Sequence, residues 1–326
     1  MDSKRCVDAQ NRHATIFSSL WSVLNMASYT YQTLKTERDE AGVVVLSLNR
    51  PEQMNAFTVE MANELVDFFE KASEDDDIRA IIVTGEGRAF CAGMDLSKEG
   101  NVFGLNETLQ PSMQDMQSRR DDDEIKNGVC DTGGRVVLSI FECKKPVIGA
   151  INGAAVGIGA TMTLAMDIRL ASEKAKIGFV FGKLGIVPEA CSSWFLPRIV
   201  GIQQALEWVY SADIFDAQTA KEGRLVKQVY PADQLLDEAK KLAHKFVEGR
   251  SPVALALARQ MLYRNSAAPH PLVAHQVDSL AMFYTSVGDG KEGVQSFLEK
   301  RTPDFTQKAS QMPPFYPWWS DVQDAF

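Results

Sequence analysis

The chain has 326 residues, 45% hydrophobic and 24% charged, enough to bury a sizeable core in one large domain with an appendage or in two domains. Its 34 Lys and Arg against 43 Asp and Glu leave a net charge of −9, and no basic block exists to neutralise phosphates, which argues against nucleic acid as a partner. No segment reaches the roughly 20 uninterrupted apolar residues needed to span a bilayer.

Residues 1–27 differ in character from the rest of the chain. Ile16-Phe-Ser-Ser-Leu-Trp-Ser-Val-Leu24 is apolar and preceded by Lys4, Arg5 and Arg12, as in a transit peptide. Asp2 and Asp8 count against one, because such peptides are poor in acids. A disordered or loosely docked extension is the plainer reading, and Met26 is an alternative start.

From residue 28 to about 215 strands and helices alternate. Gly42 to Leu48 is a β-branched run suited to a strand buried on both faces. Thr58 to Ser73 has helical apolar spacing, with Thr58 as N-cap and Glu60 in the first turn. Arg79 to Thr84 and Pro146 to Ile151 are further buried strands. The second of these runs into the glycine turn Asn152-Gly-Ala-Ala-Val-Gly-Ile-Gly159 and a helix to about Met166. Ile168 to Ala171 is another strand. This order indicates an α/β domain.

The interval 97–134 interrupts the pattern. It holds the charge run Asp121-Asp-Asp-Glu124, which reads as a solvated face or as part of a flap over a ligand site. Residues 216–301 are helical, with segments at Ala217–Glu222, Ala232–Glu248, Val253–Tyr263, Pro271–Ser286 and Lys291–Lys300. Residues 302–326 form a tail with Met312-Pro-Pro-Phe-Tyr-Pro-Trp-Trp319, whose aromatics are expected to pack on the body or on another chain. The last three residues, Asp324-Ala-Phe326, are not a peroxisomal tripeptide of the Ser-Lys-Leu type.

Five cysteines, odd in number and without paired metal spacing, read as reduced thiols of a cytoplasmic or organelle-matrix protein. All four histidines lie away from the glycine-rich middle, so neither a metal site nor a histidine-based mechanism is expected. What remains is backbone and carboxylate. Arg88 to Leu96 follows a strand and carries Ala92-Gly93 before Asp95; small residues there let N–H groups approach a ligand. Val156-Gly-Ile-Gly-Ala160 opens a helix, where unsatisfied N–H groups favour negative charge. It lacks the Gly-Lys-Ser/Thr ending of a phosphate loop and the spacing of a dinucleotide fingerprint. Two such turns together supply the donors of an oxyanion hole. Downstream, Pro188-Glu189-Ala-Cys-Ser-Ser193 places one carboxylate in a turn, read either as a proton-transfer group or as a surface glutamate after a proline.

Several of these stretches resemble one family. Leu48-Asn-Arg-Pro51 with Asn55-Ala56, Ala89 to Asp95, Lys145-Pro146 with Asn152-Gly153, Asp167-Ile-Arg169, Ala217 to Val226 and Phe297 to Arg301 are similar in kind and order to the crotonase (enoyl-CoA hydratase/isomerase) superfamily. The match covers about residues 28–301. It implies a spiral of β-β-α units over residues 28–215, a C-terminal helical trimerisation region at 216–301, a homotrimer or hexamer, and acyl-coenzyme A thioesters as substrates with no separate cofactor. Carried over by position, Met94 and Ile158 would give the oxyanion N–H groups. Ala92, Gly93, Asp95, Leu96 and Gly157 would line the coenzyme A site, and Lys300 would offer charge to a phosphate.

The family's hydratases hold water with two glutamates, which fall at Thr161 and Phe181 here. Neither residue does acid–base chemistry on water at neutral pH. Glu189 falls where the Δ3,Δ2-enoyl-CoA isomerase branch carries its lone carboxylate, and its surroundings resemble the peroxisomal type of that branch. The resemblance therefore implies proton shuttling by Glu189, with its pKa raised by Phe181, Val187 and Trp194. Hydration, dehydration or thioester hydrolysis, and a non-catalytic acyl-CoA-binding subunit, are the alternatives.

Overall fold

The computed structural model describes residues 29–97 and 102–320; the N-terminal extension and the last six residues lie outside it. Within the described residues ten strands form two sheets: β1 (Leu34–Arg38), β2 (Val43–Leu48), β3 (Ala80–Gly85), β4 (Ala89–Cys91), β5 (Val147–Ile151), β6 (Ala154–Val156), β7 (Ile168–Ser172), β8 (Lys176–Gly178), β9 (Ile214–Asp216) and β10 (Gln228–Tyr230). The larger sheet runs β1-β2-β3-β5-β7-β10 and the smaller β4-β6-β8-β9. Only β1–β2 and β8–β9 are antiparallel pairs. After β3, β5 and β7 the chain each time leaves the large sheet and enters the small one, as β4, β6 and β8. This repetition is the spiral of the crotonase fold.

Side-chain alternation explains why the large sheet is buried on both faces. Val44, Leu46 and Leu48 of β2 face one apolar cluster with Ile81 and Val83, while Val43 and Val45 face another with Ala80, Ile82 and Ile148. The first face is covered by helices α1 (Val59–Glu74) and α2 (Thr132–Glu142), which pack on each other. Helix α1 starts as the sequence predicts: the Thr58 hydroxyl accepts the Met61 N–H at 3.1 Å and Glu60 lies in the first turn.

Helix α3 (Ser192–Val200) follows the Glu189 turn. The second face of the large sheet is covered by α4 (Leu235–Val247), which inserts Leu235, Ala239, Ala243 and Val247. The predicted boundary at 215 thus falls inside β9, and the segment beyond it supplies both β10 and the covering helix. Helices α5 (Pro252–Asn265), α6 (Pro271–Val287) and α7 (Asp289–Glu299) follow. The tail packs on the body: Ser310 Oγ donates to Asp76 at 2.6 Å, the Arg264 guanidinium lies 3.4 Å from the Trp319 ring centre, and Phe315 and Trp318 pack near Val253 and Leu257. No helix of the described residues is long and apolar enough to cross a membrane.

Candidate active site

Two asparagines, buried Asn55 and half-buried Asn152, hold the loops that shape the site. Asn55 accepts the Arg50 N–H and donates to the carbonyls of Glu86 and Ala89. Asn152 accepts the Gly85 N–H and donates to the carbonyls of Gly85 and Gly87. Both asparagines therefore tie their loops to the β3–β4 connection, the entrance to the 92–95 turn. That turn runs beside Phe57: the Phe57 N–H donates to the Gly93 carbonyl at 2.7 Å and the Asp95 N–H to the Phe57 carbonyl at 2.9 Å. Because alternate residues of an extended segment bond to opposite sides, the intervening Met94 N–H faces away from Phe57.

The second turn meets the first from β6. Gly157 has φ +56° and sits before the short helix Ile158–Thr161, which makes Ile158 N–H a first-turn donor without an intrahelical partner. A Cβ at Gly159 would lie 2.0 Å from the Cys91 carbonyl oxygen, so only glycine lets the two turns come this close. Among the described residues, neither Met94 N–H nor Ile158 N–H has a hydrogen-bond acceptor.

Between these turns opens a cavity of about 410 Å³, lined mainly by apolar groups. Of the residues singled out from sequence, Ala92, Gly93, Met94, Leu96, Gly157, Ile158, Phe181, Val187 and Glu189 line it. The excursion that broke the strand–helix alternation contributes Phe103 and Leu105, while its charge run Asp121–Glu124 is exposed. Asp95 and Lys300 are not in the wall. Asp95 is bound by the Ser97 hydroxyl and pairs with Arg50 at 2.9 Å, which holds its carboxyl down at about 2. Lys300 ends α7 in the left-handed conformation and is exposed. Trp194 also departs from expectation. It does not line the cavity; α3 turns it against Phe195 and Phe141, with the Arg198 guanidinium 4.0 Å from its ring centre.

Glu189 reaches the cavity from a turn with unusual backbone geometry. Ala190 and Cys191 are both left-handed, at φ +56° and +52°, which costs non-glycine residues on the order of 1 kcal/mol each or more. The surrounding bonds hold them there. The Ser192 N–H closes back on the Glu189 carbonyl at 3.0 Å, and the Ala190 N–H donates to Asp131 Oδ1 at 3.1 Å. Thr161, noted in the sequence only for lacking a carboxylate, donates its hydroxyl to Glu189 Oε1 at 2.7 Å. Burial pushes the Glu189 carboxyl up to about 8; the Thr161 hydrogen bond works against this, and the neighbouring Asp131 adds to it.

Sequence reasoning passed over Asp131 and Gly133, which come from the start of α2. Asp131 is the helix N-cap and accepts the Gly134 N–H as well as that of Ala190. Gly133 gives Glu189 its room: a Cβ there would stand 1.9 Å from Glu189 Oε2 and 2.5 Å from Ile158 Cδ1. A half-buried carboxylate of raised proton affinity, facing two unpartnered N–H groups across an apolar cavity, is equipped to move protons beside a bound carbonyl.

The spiral and this cavity define a crotonase-fold protein. The chain belongs to the enoyl-CoA hydratase/isomerase family, whose model matches residues 38–308. It is 37% identical over 290 residues to the enoyl-CoA hydratase ACTT3 of Alternaria alternata, covering 87% of this chain and 90% of that protein. It is 34% identical over 273 residues to the 1,2-epoxyphenylacetyl-CoA isomerase of Escherichia coli K12, covering 82% and 97%. The crystal structure of an enoyl-CoA hydratase from Bacillus anthracis superimposes with a TM-score of 0.73 at 31% identity, covering 84% of this chain and 99% of that one.

Proposed function

We propose that the protein is a Δ3,Δ2-enoyl-CoA isomerase in which Glu189 is the sole acid–base group and Met94 and Ile158 supply the oxyanion hole. The observation that carries this reading is the raised carboxyl of Glu189, the one carboxyl so shifted among the described residues, combined with Thr161 and Phe181 where a hydratase places its water-holding pair. The acyl-CoA thioester is the substrate and the proton transfer needs no cofactor. With the thioester carbonyl on the two N–H groups, ionised Glu189 takes a proton from C2. The C2–H bonding pair enters a dienolate whose oxygen the N–H groups hold; on reprotonation the C3–C4 pair binds the proton at C4 while the enolate's C1–C2 pair becomes the C2–C3 double bond. Glu189 then returns the proton at C4 and the thioester carbonyl re-forms. No water is consumed, which suits a wall closed by Phe181, Val180 and Ile186.

Ala92, Gly93, Leu96 and Gly157 border the thioester, and Asp95 and Lys300 would meet only parts of coenzyme A outside the cavity. Exposed Phe283, Phe297 and Leu298 on α6 and α7 support assembly into a homotrimer or hexamer through these helices.

Hydration is the second reading, favoured by relatives named as hydratases and by Asp131 as a second carboxylate in the wall. Product analysis separates the two. Purified protein given cis-3-enoyl-CoA is expected to form trans-2-enoyl-CoA, followed by the absorbance of the conjugated thioester. Trans-2-enoyl-CoA in the same preparation should give 3-hydroxyacyl-CoA far more slowly. Hydroxyacyl product appearing as fast as isomerisation would overturn the assignment.

A further inference from the structure

The isomerase mechanism leaves Asp131 without a part, although its carboxylate lines the cavity and touches the loop that carries the base. Asp131 lies 58 residues before Glu189, on a different element. Its Oδ1 joins the two: it accepts the Gly134 N–H at the head of α2 and the Ala190 N–H in the left-handed turn. Gly133 lies between these contacts, packed against Glu189 Oε2. The turn at Ala190 and Cys191 needs such a brace, because two successive non-glycine residues with positive φ relax when nothing holds them.

We propose that Asp131 is the positioning residue of the Glu189 base, bracing its strained turn through the Ala190 N–H and setting a second negative charge beside its carboxylate. This rests on the reading of Glu189 as the base. A like charge at close range disfavours ionisation, so Asp131 keeps the proton on Glu189 to higher pH and makes the ionised form a stronger base. The other polar and titratable groups around Glu189 do not supply this effect. Thr161, from the short helix, pulls the other way. Cys91 of β4 and Cys191 of the same turn have thiols pushed up by burial, so they are uncharged through the neutral range. Lys183 in the wall is exposed and pairs with Asp213 at 3.1 Å.

Asp131→Asn separates charge from shape, since its amide oxygen still accepts the two backbone N–H groups. The test is an infrared titration of the intact protein, following the protonated-carboxyl band that disappears in Glu189→Gln. In Asp131→Asn the midpoint should fall, corresponding to about tenfold weaker proton affinity. The acid limb of the kcat/KM profile for cis-3-enoyl-CoA should move by the same amount. Asp131→Ala, which also removes the brace, should lose about tenfold or more in kcat with KM little changed, the split expected of a misplaced base. A midpoint unchanged in Asp131→Asn overturns the proposal. A lowered midpoint in a protein that does not isomerise 3-enoyl-CoA supports the Asp131–Glu189 coupling and refutes the isomerase reading instead.

Discussion

Glu189→Gln is expected to make the protein more stable, and the gain should grow with pH. The Glu189 carboxyl is held at about 8 in the fold against 4.5 for an ordinary glutamate, with burial the main cause. A carboxyl whose proton affinity rises on folding costs nothing below pH 4.5, where both states bind the proton. The penalty grows as pH climbs from 4.5 to 8, where only the folded state retains it, and is complete above 8. A separation of this size corresponds to up to about 5 kcal/mol of stability withheld by one side chain. Glutamine is close in shape to the protonated acid and still accepts the Thr161 hydroxyl. Thermal unfolding should therefore give nearly equal midpoints for both proteins at pH 5 and a clearly higher midpoint for the variant at pH 9. A gain independent of pH, or a loss at pH 9, would show that Glu189 is not held in a desolvated pocket.

Gly133→Ala tests the geometry around the same carboxylate. The added methyl must occupy a point 1.9 Å from Glu189 Oε2 with Ile158 Cδ1 on its other side, so either the carboxylate or the short helix has to move. Displacement by about 1 Å at a reacting group costs about a hundredfold in rate. Overpacking of this kind costs about 1–3 kcal/mol, partly offset because alanine favours helix over glycine by about 1 kcal/mol. The expected result is a folded protein by circular dichroism with kcat for cis-3-enoyl-CoA lowered about a hundredfold. Undiminished turnover would mean that Glu189 does not react from the position it holds in the fold.

The strands of the large sheet and the start of α1 could be read from the sequence, because β-branched runs and a Thr58 cap carry their own local signal. Helix α2 could not: it begins Thr132-Gly-Gly134, poor helix formers, and gains its structure from packing on α1. The three-residue strands β4, β6 and β8 are too short for any periodicity to show. Glu189 stood out through its Pro-Glu-Ala-Cys-Ser-Ser surroundings, yet the residues that hold it did not. Asp131 and Gly133 lie more than fifty positions upstream and meet it only through the fold. Thr161 was informative as a missing carboxylate, and its hydroxyl contact required the turn to be built. Trp194 is expected among the apolar surroundings of Glu189, but helix α3 packs it on Phe141 and Phe195, outside the cavity wall.

The central claim is that Glu189 moves the proton in both steps. Turnover of cis-3-enoyl-CoA by Glu189→Gln, measured beside the wild type at pH 8, tests it most directly. Loss of about 10²–10⁴-fold in kcat, the span of a removed general acid–base group, is the predicted result. Turnover within a few-fold of wild type in a folded variant would contradict it.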